Sequence, residues 1–372
     1  MGVKRLKSGK WEASYRDPRQ RERTKVFKTR KDAERWRSAN LADISRGDWH
    51  DPRLARRTLA DWVDQWWPTT MNLSPSTRVR DQTYVELYVL ADIGDDELGR
   101  IGQTDIQAWV AALSTRGLAP ATVTKAYQLL AKILGAAVDA GLLASSPCRR
   151  ITLPAKERKE MRFLTAEEVG WLADAIHPRY RVLVLVAAYG GLRIGELAGL
   201  RPQRVNLLKS TIDVAEIVVE VRGKITTGPP KTKASRRTIT LPRSVTAELE
   251  AHLREHSSSE RVFTAPEGGD LRVPSWRRRF WNPAIEQACL APLRPHDLRH
   301  TAVALWIATG ANTLEIARRA GHTSTSFTLD RYGHLFPEAD TQLVERLEAI
   351  YQPPTPPPRA TITSLRPRSD PR

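Results

Sequence analysis

The sequence predicts a multidomain chain that is mainly α with small β-sheets. Three observations carry this. Apolar residues recur every three or four positions through much of residues 58–350, the period of helices packed on one face. Two short stretches follow a different pattern: 10–29, where apolar and polar residues alternate, and 211–241, rich in Val, Ile and Thr. The charge is also uneven. The 372 residues hold 59 Lys/Arg against 42 Asp/Glu, a net of +17. Residues 1–57 hold 18 against 8, whereas residues 58–150 hold 8 against 10. The composition shifts predict domains at 1–57, 58–150 and 151–352 and a tail at 353–372.

The elements follow in order. Trp11, Ala13 and Tyr15, then Thr24, Val26 and Phe27, flank Asp17-Pro18-Arg19-Gln20, which has the chemistry of a hairpin turn. Thr29 then caps a helix carrying Ala33, Trp36, Leu41 and Ile44, with Gly47 as its stop. Residues 50–58 read as a basic linker. Thr58 caps a helix that ends at Pro68, and a second helical pattern runs through STRVRDQTYVELYVL. A third has Thr104 as cap and Gly117 as stop. A fourth spaces Val123, Tyr127, Leu130, Leu134 and Val138 on one face. A charged, Pro-punctuated linker lies near 145–162.

Beyond it, Thr165 and Glu168 form a capping box. RVLVLVAAYGGLRIGELAGL is apolar almost throughout and reads as one buried helix. Residues 211–241 read as two or three strands, with turns at Arg222-Gly223 and Gly228-Pro229-Pro230. Helical patterns return from Ser244, Ser275, His296 and Thr313, and again near 338–351. The tail 353–372 is Pro-rich and reads as a flexible arm.

Composition excludes several classes. Cys148 and Cys289 cannot build a disulfide framework or a Cys-rich zinc module. No apolar run approaches the ~20 residues of a membrane span, and the N-terminus lacks the apolar stretch of a secretory signal. The expected compartment is the cytosol. The basic excess calls for a polyanionic partner, either nucleic acid or an anionic membrane face, and its concentration in residues 1–57 favours nucleic acid there over a merely solvated surface.

Four patches carry chemistry. Arg193 and Glu196 stand in GLRIGEL, where an arginine beside an apolar helix needs a carboxylate or an anion. Lys231 and Lys233 stand in PKTKASRRT, at a strand-to-strand turn. His296 and Arg299 in HDLRHT share a helix face and can grip one phosphate. His322 follows Ala320-Gly321, and Tyr332 stands ten residues on in LDRYGH. A phenol with pKa near 10 is a poor nucleophile unless its neighbours stabilise the anion.

GLRIGEL, PKTKASRRT, HDLRHT, AGH and LDRYGH occur in the order found in the tyrosine recombinases, the phage integrase family, which this chain resembles over nearly its whole length. One small departure is Ala320, where Leu commonly precedes the Gly-His. The resemblance implies an arm-type DNA-binding domain of three strands and a helix in residues 1–57. It implies a helical SAM-like core-binding domain in 58–150 and a mixed α+β catalytic domain in 151–352. It implies Tyr332 as the nucleophile that forms a 3′-phosphotyrosyl intermediate, releasing a 5′-hydroxyl. Arg193 and Arg299 then clamp the non-bridging oxygens, His296 assists proton transfer and His322 hydrogen-bonds the phosphate. Lys231 is the favoured general acid, with Lys233 as the alternative. Glu196 orients Arg193, and His300 and His334 are left to packing or surface.

Arg21, Arg23, Lys25 and Lys28 are DNA-contact candidates in the arm, with Arg78, Arg80, Arg116 and Lys125 in the helical domain and Lys233 in the catalytic domain. The resemblance also implies attachment-site duplex DNA, a homotetramer assembled on it, a host bending protein, an excision factor, a bacterial cytosol and no cofactor or metal. The helix near 338–351 is a candidate for exchange between protomers. The arm favours an integrase over a chromosome or plasmid resolvase of the same family, a type IB topoisomerase or a non-catalytic DNA-binding protein.

Overall fold

The computed structural model describes residues 2–46, 49, 51, 53–155, 161–230, 232–256, 260–336 and 339–351. The chain divides into two compact units, residues 1–160 and, save for the turn at 221–223, residues 161–372. Among the described residues no helix is long and apolar enough to cross a membrane.

The first unit opens with a three-stranded antiparallel sheet, β1 (Val3–Arg5), β2 (Trp11–Arg16) and β3 (Glu22–Phe27), in that order. The predicted hairpin is β2–β3, in register Ala13↔Lys25 and Tyr15↔Arg23. Three residues, two of them basic, gave β1 no readable pattern; pairing with β2 makes it a strand. Asp17 builds the turn, its Oδ1 accepting the backbone N–H of Arg19 and Arg21 at 2.9 Å each. Ala13 and Tyr15 face α1 (Arg30–Arg46), whose Ala33 is buried and whose Trp36 ring lies 5.1 Å from Tyr15. Thr29 takes the Asp32 N–H at 3.2 Å, as expected of the cap. The predicted stop, Gly47, lies outside the described residues.

The helical part follows. Thr58 and Asp61 form a capping box on α2 (Leu59–Trp66), which buries Leu59, Trp62, Val63 and Trp66. The backbone does not stop at Pro68 but tightens into a 3-10 turn, Trp67–Thr70. α3 (Pro75–Tyr84) passes through a π-helical turn (Val85–Leu90) into α4 (Ala91–Ile93). α5 (Gln103–Thr115) is capped at Gly102 and not at Thr104. Asp105 decides this, its carboxylate reaching back to the Gly102 N–H at 2.8 Å. α6 (Pro120–Asp139) buries Val123, Leu130 and Leu134 as read, with Tyr127 and Val138 half-buried. Trp62 Nε1 donates to the Ile133 carbonyl at 2.9 Å and ties α2 to α6.

The second unit packs α7 (Ala166–Ala175) and α8 (Pro178–Gly190) into one apolar core, and the Thr165–Glu168 capping box is present. The expected single helix is two. Gly191 turns left-handed (φ +67°), and α9 (Ile194–Ala198) restarts after it. Two adjacent glycines inside an apolar run break a helix that hydropathy alone joins.

Residues 205–240 hold more strands than read. β4 (Val205–Asn206), β5 (Thr211–Val214) and β8 (Arg237–Thr240) form one antiparallel sheet in the order β4-β5-β8. β6 (Ile217–Val221) and β7 (Lys224–Gly228) form a separate hairpin turned at Arg222-Gly223. α10 (Arg243–His256) follows. α11 (Val273–Trp276) and α12 (Asn282–Gln287) are joined by a π-helical turn, Arg277–Trp281. α13 (Asp297–Ala308), α14 (Thr313–Ala320), α15 (Thr325–Tyr332) and α16 (Ala339–Ile350) complete the unit. The tail 353–372 lies outside the described residues.

Candidate active site

Arg193 is the N-cap residue of α9, placed by the left-handed Gly191 two positions before it. Its Nη1 donates to Glu196 Oε1 at 2.8 Å and its backbone N–H to Oε2 at 2.9 Å. Glu196 is buried and also accepts Arg237, Nη1 to Oε1 at 3.1 Å and Nη2 to Oε2 at 2.9 Å. Burial works to raise the Glu196 carboxyl, but Arg237 and then Arg193 outweigh it and hold its pKa below the usual carboxylate range. The Arg193 side chain stays 36% exposed, so this cation is aimed but not spent.

Arg299 lies in the first turn of α13 and is buried with no carboxylate on it among the described residues. Its Nη1 donates to the Gly191 carbonyl at 2.7 Å and its Nη2 to the Ala320 carbonyl. Burial, then the charges of Arg193 and Arg237, push its pKa down to about 9, which leaves it protonated at neutral pH. A buried guanidinium held by carbonyls alone keeps its positive charge for an anion.

His296 stands just before α13, with its ring 4.9 Å from that of His300, one turn on. Partial burial and then the nearby Arg299 and Arg193 hold His296 below the ordinary histidine pKa. His300 is buried, and its Nδ1 lies 2.5 Å from the Tyr332 hydroxyl. The residue read as packing is thus the hydrogen-bond partner of the candidate nucleophile. Its position four residues after His296 was the available signal, because that spacing stacks two side chains on one helix face.

α14 ends at a left-handed Gly321 (φ +62°), which throws His322 back across the site. His322 Nδ1 pairs with Thr328 Oγ1 at 2.9 Å, and its ring lies parallel to Tyr332 at 6.4 Å. Burial, then Arg299 and Arg193, push His322 down to about 4. Tyr332 ends α15 and is 1% exposed. Burial raises its phenol above the ordinary pKa, while Arg299 and Arg331 oppose that rise without cancelling it.

Arg193, His296, Arg299, His322 and Tyr332 therefore come together within the second unit, with Glu196 beneath them. Lys231 lies outside the described residues, as does the side chain of Lys233 on its 3-10 turn, Lys233–Ser235. Among the described residues no group of His, Cys, Asp and Glu could hold a metal ion.

In the first unit, Arg21, Lys25 and Lys28 are exposed on the sheet and at its edge. Arg23 differs. It is buried, with Nε donating to Asp17 at 2.9 Å and Nη2 paired with Asp51, so its charge is consumed in the fold and not offered to DNA. Arg78 lies over the Trp67 ring at 5.5 Å, Arg80 pairs with Asp81, Arg116 pairs with Asp92, and Lys125 is half-buried.

A phenol beside two guanidiniums and three imidazoles suits attack on a phosphodiester. The cations would neutralise the pentavalent transition state, and a covalent phosphotyrosine would conserve the energy of the broken bond.

Residues 162–339 match the phage integrase family and residues 2–46 match the phage integrase N-terminal domain. The chain is 28% identical over 359 residues to a putative prophage phiRv2 integrase of Mycobacterium tuberculosis, covering 94% of this chain and 95% of that one. The fold is shared with the Tn1549 transposon integrase in complex with a circular intermediate DNA, at TM-score 0.69 and 15% identity, over 78% of this chain and 99% of that one. It is shared also with a lambda integrase tetramer bound to a Holliday junction, at TM-score 0.55 and 17% identity, over 87% and 96%.

Proposed function

Since this chain belongs to the phage integrase family of tyrosine recombinases and is a site-specific DNA recombinase, we propose that Tyr332 is its nucleophile and Arg193, His296, Arg299 and His322 its phosphate-binding set. The observation that carries this is the Tyr332 hydroxyl at 2.5 Å from His300, beside a buried Arg299 that has only carbonyl partners. The phenol oxygen attacks the scissile phosphorus and forms a 3′-phosphotyrosyl bond. The 5′-oxygen of the next nucleotide leaves and takes its proton from Lys231 or Lys233. Arg193 and Arg299 bind the non-bridging oxygens, His322 hydrogen-bonds them, and His296 shares the proton that the phenol gives up. Attack of another strand's 5′-hydroxyl on the phosphotyrosine reverses these steps and reseals DNA. Tyr332 is 1% exposed, so DNA binding must first uncover it, and the His300 bond is what that movement breaks.

Residues 1–57 act as the arm-type domain, 58–150 as the core-binding domain and 151–352 as the catalytic domain. Exchange of four strands calls for four active sites, hence a homotetramer on attachment-site duplex DNA. A host bending protein, an excision factor and work at the nucleoid of a bacterial cytosol complete the reading.

The test is a duplex cut from the DNA flanking its own gene and nicked beside the cleavage point, which traps the covalent species. Wild type should give a DNA–protein adduct, and Tyr332→Phe should give none. Absence of any wild-type adduct on that DNA overturns the assignment. Joint molecules formed from two site-bearing duplexes separate recombination from mere relaxation of plasmids.

A further inference from the structure

Arg237 is the first residue of β8 and had no role in the sequence reading. Its buried guanidinium spends its donors on three separate segments. Nε donates to the Arg319 carbonyl at 2.7 Å, Nη1 to the Ser235 carbonyl at 3.0 Å, and Nη1 and Nη2 together grip the Glu196 carboxylate. Gly321 leaves it the room. A Cβ there would come within 3.2 Å of Arg237 Cδ and 2.9 Å of the Ala234 carbonyl.

Each of these segments carries part of the phosphate cradle. Glu196 holds Arg193. Ser235 closes the turn that bears Lys233. Arg319 precedes Ala320, whose carbonyl holds Arg299, and Gly321-His322 follows.

We propose that Arg237 is a positioning residue whose grip on Glu196 keeps Arg193 available to the scissile phosphate. This rests on the role assigned to Arg193 above. The Glu196 carboxylate has two oxygens and two competing cations. Because Arg237 occupies both oxygens, Arg193 gives up only Nη1 and its backbone N–H, and its Nε and Nη2 have no acceptor among the described residues. Remove Arg237 and a buried carboxylate faces Arg193 alone. The preferred guanidinium–carboxylate geometry is a two-bond fork, which would draw Arg193 inward and away from the phosphate. The loss falls on the chemical step and not on DNA affinity, since one phosphate contact among many contributes little to the total.

The experiment compares adduct formation by wild type, Arg237→Gln and Arg237→Lys on the nicked flanking-DNA duplex, in single turnover. The duplex carries either the normal scissile phosphate or a neutral methylphosphonate. Arg237→Gln should slow cleavage of the normal phosphate by about 10- to 100-fold, the scale of a misplaced catalytic group, with DNA affinity within about twofold. Arg237→Lys keeps the charge without the fork and should fall between. The deficit should shrink on the methylphosphonate, whose missing charge no longer needs Arg193. Cleavage by Arg237→Gln within about twofold of wild type overturns the proposal, as does an equal deficit on both substrates. If Arg237→Gln does not fold, Arg237→Lys decides by the same two criteria. A wild type that forms no adduct fails the reading of Tyr332 itself, a result distinct from either.

Discussion

The histidines around Tyr332 are held uncharged, and that sets a pH signature. Burial first, then neighbouring cations and imidazoles, hold His300 and His322 at about 4, whereas an unfolded histidine titrates near 6.5. Between these values the unfolded chain binds protons that the folded chain refuses, so folding is progressively disfavoured as pH falls. Their full contribution is present above about pH 6.5 and is lost towards pH 4. Thermal unfolding followed from pH 7.5 to 4.5 should show a falling midpoint, and His300→Asn combined with His322→Asn should flatten that slope. An unchanged slope in the double variant would place the proton uptake elsewhere. The sequence made His322 legible through its motif, whereas His300 offered only its spacing from His296, and its partner became visible once α15 brought Tyr332 against it from 32 positions away. Arg237 was hidden for the same reason, since its partners Glu196 and Arg319 are 41 and 82 residues distant.

Elements are placed by their ends. Capping chemistry at Thr58 and Thr165 was readable because it is local, a side chain and an N–H three residues apart. α15 was not readable, because TSFTLDRY has no apolar period and buries only Thr328 and Tyr332. The break between α8 and α9 matters most for function. Gly191 offers its carbonyl to Arg299 and sets the path of Arg193. It holds φ +67°, and a Cβ there would stand 2.6 Å from Trp306 Cη2. Gly191→Ala should therefore combine a left-handed penalty of about 1–2 kcal/mol with overpacking of about 1–3 kcal/mol. A fall in chemical-denaturation stability of that size, with cleavage slowed in the protein that still folds, is the expected outcome. A variant as stable as wild type would show that Trp306 gives way freely.

Across the whole molecule, charge is distributed by task, and sequence position alone does not reveal which cations are free. Residues 1–57 are the most basic stretch, yet Arg23 there is locked between Asp17 and Asp51, while Arg21, Lys25 and Lys28 are exposed. Counterion release makes this difference measurable. Each phosphate neutralised on a duplex adds about 0.9 to the slope of log affinity against log salt. Replacing Arg21, Lys25 and Lys28 together by Gln should lower the slope for arm-site DNA by up to about 2.7, leaving the melting temperature nearly unchanged because the three side chains lie in solvent. Arg23→Gln should do the reverse. It strands the buried Asp17 carboxylate, whose pKa burial works to raise but the Arg21 backbone N–H and then Arg23 hold below the usual range, so the arm loses stability while the salt slope changes only through the fraction unfolded. Binding titrations from 50 to 300 mM salt, paired with melting curves, distinguish the two. An exposed triple variant with the wild-type slope would show that these three cations never meet a phosphate, and the arm's DNA contacts would then have to be sought on its other faces.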